Sequence, residues 1–515
     1  MARFVVPPRG RVAESSESSS VVDESSPVPG ASRERPGRAL LPPTAVGLAA
    51  GIVVMGATTY RGRWFPGSRQ GGWFFSFPGL GASGTPKWVA FGAYYGGLVL
   101  LGVAWIWFFG VVRRTKVGTA SVLAVCALWA LPLAVAPPIG SDDAIAYVGA
   151  GRLVNKGLDP YEVGIVALGK RDSAVRAASP FWWDSPQPYG PLYVRSAGLA
   201  SSLGGSSVRV TVLVIRAAGL VCLGLLVFPL TALARRFARP PPVVLAAVLG
   251  SPLILVQLVG GAHNEALMLV PLVTGVAVGA AGLAATGARR VALVLTGAAL
   301  CGVGAAVKIP AFLGAAVLGW LAGASTTWRR LAGAAIATAA AGVVVVAVSA
   351  ASGLGIGWVH NLDVPEKTAT LLSPFTAAGW LVQHLVPQLG SRTDVVDAFR
   401  TAGFYIGLAV CAVCIMSSDR LGLPTALGGA LLVLALTTPV VWPWYFTWGI
   451  VFFAIRAVTR SLQLAVAGVN LMVTPLGPGS LDVNGHPTWG ALVLLVVAIA
   501  TVASVARSVA PVPAD

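Results

Sequence analysis

Two adjacent carboxylates, Asp142 and Asp143, open the stretch SDDAIAYVGAGRLVNKGLDPYEVG (141–164), directly after an apolar run that ends in Pro137 and Pro138. Ser141 is a good N-cap, so the pattern predicts a helix from about Asp142 to Asn155, stopped by Gly157 and followed by an Asp-Pro-Tyr turn. Both acids then fall in a first helical turn at a membrane boundary. Two readings of them are open. Acids in a first turn complement the helix dipole, and a carboxylate so placed is also a general base where a membrane-borne substrate meets the outer leaflet.

The same face collects other polar residues at the ends of apolar runs. GGAHNEALM (260–268) sets His263, Asn264 and Glu265 side by side between two such runs, where three consecutive polar groups are costly to bury unless they form a site. Lys308, in VKIP, interrupts another run just before Pro310. It either snorkels to the interface or offers a point charge to a lipid phosphate. PVVWPWYFTW (439–448) packs three Trp and one Tyr around two prolines, as an interfacial aromatic belt or as irregular backbone lining a cavity, a platform for a sugar or a prenyl chain. FWWDSPQPYGPLY (181–193) reads as a re-entrant or surface loop whose aromatics stack on a sugar or lie among headgroups. His360, Asn361 and Asp363, and Asp482, Asn484 and His486, are expected to be mostly structural. Cys411 and Cys414 form a C-x-x-C inside an apolar run with no second pair or histidine nearby, which points to packing rather than metal or redox chemistry.

These residues must be positioned by membrane helices. The chain of 515 residues is 56% hydrophobic and only 11% charged, whereas a soluble domain carries roughly 25% charged residues; the mean hydropathy is +0.79. A water-soluble fold is excluded. From residue 41 the sequence offers fourteen candidate spans, near 41–60, 88–112, 118–138, 208–234, 242–260, 265–287, 291–307, 310–323, 331–352, 398–417, 421–440, 446–458, 461–476 and 489–507. Pro310, Pro439 and Pro443 interrupt some of them, so eleven to fourteen crossings are expected. Residues 1–40, rich in Ser, Pro, Arg and Glu, read as a disordered tail without the apolar core of a signal peptide. There is no P-loop, dinucleotide fingerprint or zincin helix, so a cytosolic nucleotide-driven mechanism has no domain to live on.

The net charge of +17 is read as Lys and Arg retained at the cytoplasmic surface rather than as a nucleic-acid footprint. The clusters Arg113, Arg114 and Lys116, then Arg235, Arg236 and Arg239, then Arg289 and Arg290, then Arg329 and Arg330 fall at alternate span boundaries. Both termini are therefore expected in the cytoplasm, with the long connections 139–207 and 353–397 outside. Of fourteen Asp and Glu after residue 40, all but Asp419 and Asp515 fall on the outer side or at its boundary. A transporter or flippase of lipid-linked sugars, the competing reading, would instead place ionisable residues deep within spans. The predicted spans carry almost none apart from Arg216.

At SDDAIAY, GLDPYEVG, YGPL, GGAHNEALM, VKIP and WPWY, in order and spacing from about residue 90 onward, the sequence resembles the polyprenol-phosphomannose-dependent α-1,6-mannosyltransferases of actinobacteria, the MptA/MptB family. The resemblance implies an all-α polytopic membrane protein of the GT-C glycosyltransferase fold: 1–40 as a tail, 41–515 as the transmembrane domain, and the catalytic Asp in the large first external loop. It implies inverting transfer from a polyprenyl monophosphate β-mannose to a lipid-anchored mannan, with no nucleotide and no cofactor, because the phosphate linkage already activates the sugar. Another polyprenyl-phosphate sugar as donor is the alternative within the same fold.

In the family pattern an Asp is followed four residues later by a Tyr, which Asp143 and Tyr147 match; two residues after the Asp the family often has an aromatic, whereas here stands Ile145. The resemblance thus implies Asp143 as base and Asp142 as a neighbour that orients the acceptor or raises the basicity of Asp143. Arg152 and Lys308 are the candidates for the donor phosphate. His263, Asn264 and Glu265 would line the cavity opposite the first loop, and Trp442, Trp444 and Tyr445 would form the wall near the prenyl entrance. Asp159, Tyr161 and Tyr189 complete the substrate-binding set through the GLDPYEVG and YGPL motifs.

Overall fold

The computed structural model describes residues 36–59, 73 and 74, 87–323, 326–368, 370 and 372–456. The expected spans at 461–476 and 489–507, and Asp482, Asn484 and His486, lie outside the described residues. The described chain is helical: α1 (Pro36–Thr58), α2 (Lys87–Arg114), α3 (Thr119–Val135), α4 (Asp143–Asn155), α5 (Ser173–Ala177), α6 (Pro191–Gly204), α7 (Val208–Arg236), α8 (Pro241–Val248), α9 (Glu265–Leu283), α10 (Gly287–Ala305), α11 (Phe312–Ala322), α12 (Thr327–Ser352), α13 (Pro374–Leu385), α14 (Arg392–Met416), α15 (Ser418–Leu421), α16 (Leu423–Thr437) and α17 (Phe446–Arg456). Seven of these are long and apolar enough to cross a membrane, and α3, the Ile309–Ala322 segment and α16 are shorter apolar helices. The protein is an all-α, multi-pass membrane protein.

Local chemistry explains the helix limits. Ser207, Thr326, Ser373 and Ser391 each accept an orphan amide at the start of α7, α12, α13 and α14, and Gly353 ends α12 in the left-handed conformation at φ +68°. Several expectations are corrected. Residues 36–40 are the first turns of α1, not tail. The span expected at 242–260 is divided into α8 and a π-helical turn, Ile254–Gly260, because Gly250-Ser251-Pro252 interrupts the amide ladder. Pro191 does not belong to a surface loop but opens α6, which packs on α4. Pro310 breaks its run, as expected, into α10, a 3₁₀ turn at Ile309–Ala311, and α11.

α9 packs along α10, and α10 along α11 and α12, while α14, α16 and α17 form a second group that meets the first where α11 touches α16. Between α3 and α7 the connection holds α4, α5 and α6. α4 lies close against α6 because Gly151 has no side chain: a β-carbon there would collide with the Ala197 carbonyl oxygen. Gly190 works the same way at the mouth of α6. Its amide donates to the Val307 carbonyl at 3.0 Å and that of Leu192 to Ala306 at 3.1 Å, an approach of two backbones that a β-carbon at Gly190 would block at the Ala306 oxygen. Tyr189 is thereby set beside Lys308.

Candidate active site

Several helices begin at one place. Asp143 is the first residue of α4 and Glu265 the first of α9; Lys308 precedes the 3₁₀ turn that leads into α11, and Trp442 the turn that leads into α17. Their helix dipoles put partial positive charge at the centre. Ser141 does not cap from the expected position: Asp142 is the N-cap residue and makes no side-chain cap bond, while the Ser141 hydroxyl accepts the Asp143 amide at 3.1 Å. The helix otherwise runs to Asn155, with Gly157 at φ +70° beyond it.

Asp143 is 9% exposed. Its Oδ2 accepts from the Tyr189 hydroxyl at 3.4 Å and lies 3.6 Å from His263 Nδ1. Burial pushes its pKa from 3.8 up to about 6, opposed by the Lys308 ammonium and by Ser141 and reinforced by Glu265 and Asp142. Burial and the same ammonium hold His263 well below the usual imidazole range. Its contact with Asp143 is therefore between a neutral ring and a carboxylate, not an ion pair.

Lys308 Nζ donates to Glu265 Oε1 at 2.5 Å and sits over three rings, Tyr445 at 4.4 Å, Tyr189 at 5.4 Å and Trp448 at 5.4 Å. His263 stacks on Trp444, centroids 3.6 Å apart and planes 19° from parallel, and Trp444 stacks on Trp442 at 5.3 Å. Tyr147 meets Tyr189 and Tyr193 edge to face at 5.4 and 4.8 Å. Both ring nitrogens of His263, both side-chain heteroatoms of Asn264 and Oε2 of Glu265 are buried without a hydrogen-bond partner. Buried polar atoms are rarely left so, and here they gather beside one carboxylate. Behind His263 and Asn264 a cleft between α6, α7 and α9 is lined by Tyr193, Ile215, Cys222 and Leu258.

Of the residues singled out from sequence, the structure brings together Asp143, Tyr147, Tyr189, His263, Asn264, Glu265, Lys308, Trp442, Trp444 and Tyr445, with Asp142 beside them. Others are placed elsewhere. Arg152, expected at a donor phosphate, gives Nη1 to Asp172 at 2.6 Å and to Ser173 at 2.9 Å, and Nη2 to the Ser206 carbonyl at 2.8 Å. It ties the far end of α4 to the loop before α7. Asp159 accepts the Tyr161 amide at 2.8 Å, and the Tyr161 hydroxyl donates to the Tyr189 carbonyl at 3.1 Å, so this pair supports the Tyr189 turn from behind. Asn361 joins the same support, donating to the carbonyl of Tyr161 at 2.9 Å. Trp444 is 2% exposed and backs His263 as an interior wall. Sequence reading passed over Tyr193 and Trp448, although each follows a chosen Tyr at helical spacing. Among the described residues no three His, Cys, Asp or Glu converge as metal ligands.

A profile described as alpha-(1->6)-mannopyranosyltransferase, N-terminal domain, matches residues 44–324, and one described as MptB C-terminal domain matches residues 375–507. Alpha-(1->6)-mannopyranosyltransferase A of Mycobacterium tuberculosis is 30% identical over 75% of this chain and 77% of its own. A probable alpha-(1->6)-mannopyranosyltransferase of Mycolicibacterium smegmatis is 30% identical over 74% and 73%. Alpha-(1->6)-mannopyranosyltransferase B of Corynebacterium glutamicum is 27% identical over 69% and 62%. No solved structure matches. With the family profile spanning more than half of the chain, and with the motifs at 141–164, 260–268 and 307–310 inside it, this protein belongs to the MptA/MptB family of alpha-(1->6)-mannopyranosyltransferases.

Proposed function

We propose that the protein transfers mannose from a polyprenyl monophosphate β-mannose to a lipid-anchored mannan with inversion, forming α-1,6 links on the outer face of the membrane, with both termini cytoplasmic. Asp143 takes the proton of the acceptor 6-hydroxyl as its oxygen bonds to C1 of mannose. The C1–O bond to phosphate breaks, and polyprenyl phosphate leaves with one more negative charge than it brought. A carboxylate whose pKa is about 6 is ionised at neutral pH yet more basic than an exposed Asp, which suits a general base.

The observation that carries this reading is the gathering of unpartnered polar atoms on His263, Asn264 and Glu265 around Asp143 at a convergence of helix N-termini. Sugar hydroxyls would supply the missing hydrogen bonds, and N-terminal dipoles favour the leaving phosphate. One of three Lys308 donors is engaged by Glu265, which leaves the ammonium able to meet that phosphate as a point charge. The apolar cleft between α6, α7 and α9 suits the hydrocarbon next to it better than the buried Trp444 does.

The test is transfer from synthetic polyprenyl-phosphomannose to a short α-1,6-mannoside by purified protein in detergent, with Asp143→Asn alongside. Product from the native protein alone, α-linked at O6, is expected. Equal turnover by the variant overturns the base, and product only from a different prenyl-phosphate sugar overturns the donor.

A further inference from the structure

Arg216 lies within the apolar helix α7 and is 1% exposed. A guanidinium inside a membrane span is costly unless it does something that hydrocarbon cannot. Its partners are backbone carbonyls from two separate segments. Nη1 donates to Ala134 at 3.0 Å and to Ala136, and Nη2 to Pro137 at 3.1 Å and to Gly260. The first three carbonyls lie at and just beyond the end of α3, and Gly260 ends the π-helical turn. Trp73 completes the set: its indole donates to the Val135 carbonyl at 2.6 Å while its ring covers the guanidinium at 6.0 Å. The last carbonyls of α3, which a helix end normally leaves to water, are thus answered by two side chains. The Gly260 carbonyl also accepts the Ile139 amide at 3.2 Å, so the two segments are joined directly at the point that the arginine grips.

From this junction both halves of the site depart. One strand of chain runs from Pro137 through Ile139 and Ser141 to Asp143, and the other from Gly260 to His263 in three residues, through Ala262 at φ +58°. A left-handed alanine is strained, and it holds only if both ends are fixed. We propose that Arg216 is a positioning residue for the transfer reaction: its planar fork, spanning the end of α3 and the end of the π-helical turn, sets the separation of Asp143 from His263 and so the seat of the acceptor hydroxyl. A lysine keeps the charge but is a point donor on a flexible stem and cannot hold both segments in one plane. The inference rests on Asp143 being the base.

The test compares Arg216→Lys, Gly260→Ala and Asp143→Asn in the full-length protein in detergent. A β-carbon at Gly260 meets Ile139 Cδ1 at 2.6 Å and Cβ at 3.2 Å, so that variant crowds the junction while keeping the guanidinium. In Arg216→Lys, kcat should fall about 10- to 100-fold, the cost of a misplaced base, with both KM values within about threefold of native. The acid limb of kcat/KM should also move to lower pH. Asp143 is faced by Lys308, Glu265, Asp142, His263 and Tyr189, and its high pKa comes first from burial, so a loosened junction that admits water returns it toward the usual carboxylate range. A purely structural role would lower the yield of folded protein without moving that limb. Gly260→Ala should show the same pattern in smaller measure, and it decides the matter if Arg216→Lys does not fold. Native kcat and an unmoved acid limb in whichever variant folds overturns the role of Arg216. Turnover by Asp143→Asn overturns the base, and the positioning role with it.

Discussion

Asp143→Asn separates the catalytic use of this carboxylate from its cost to the fold. Burial raises the group from 3.8 to about 6 in the folded protein. Roughly two pH units at about 1.4 kcal/mol each mean that the ionised form costs the folded state about 3 kcal/mol. That cost is present in full above pH 6, because both folded and unfolded chains are then ionised and only the folded one has lost its water. It declines as pH falls from about 6 to 3.8, since the folded carboxyl takes up its proton first. Below that range both states are neutral and the cost is gone. Asparagine has nearly the same shape and is neutral throughout, and its amide oxygen still accepts the Tyr189 hydroxyl that Asp143 holds at 3.4 Å. The variant should therefore unfold a few degrees above the native protein near neutral pH, lose that advantage as the pH approaches 4, and transfer no sugar at any pH. Thermal unfolding followed by tryptophan fluorescence, measured beside transfer across the pH range, reads both. A variant less stable than native at neutral pH, or an advantage that persists unchanged in acid, refutes the argument that burial dominates at Asp143.

Lys308→Met leaves Glu265, with a fully buried side chain, without its cation, and should lower stability by about 3–5 kcal/mol. Adding Glu265→Gln should restore most of it, as a thermal double-mutant cycle would show. Arg152→Ala should lower the thermal midpoint, because Asp172 loses its 2.6 Å partner, while the donor KM stays at the native value; a raised donor KM would return Arg152 to the phosphate. Single cysteines placed in 160–185 should react with a membrane-impermeant maleimide in intact cells, and those in 113–117 should not; the opposite pattern inverts the proposed topology.

How much of this was legible in the sequence depends on what kind of partner each residue has. The helix that carries Asp143 announces itself through local signals, a serine, two acids and a glycine stop, and those are the signals that decide helix limits in any context. The breaks at Pro310, Pro439 and Pro443 were legible too, because a proline removes an amide from the ladder, whereas the break at Pro252 was not, since Pro132, Pro229 and Pro271 sit inside continuous helices. Pairings across the chain were not legible. Glu265 reads as one of three consecutive polar residues and Lys308 as a lone charge between apolar runs, and nothing in either motif states that the two make a 2.5 Å contact. Arg152 is a candidate for the donor phosphate only through the resemblance, yet Asp172, twenty residues further on, claims it through a loop that carries no periodicity. Arg216 stood out as a charge in a span, but its partners are carbonyls, which every residue has and no sequence displays. The motifs therefore mark the places where helices begin, and the fold decides which beginnings meet. Asp143, Glu265, Lys308 and Trp442 come from four motifs spread over three hundred residues, and each motif alone is an ordinary helix start. Their shared feature is the partial positive charge of an N-terminus, which compensates buried carboxylates and attracts a phosphate for the same reason. An enzyme that must hold a basic carboxylate next to an anionic leaving group needs that field, and assembling it from helix ends supplies it without adding a second mobile cation.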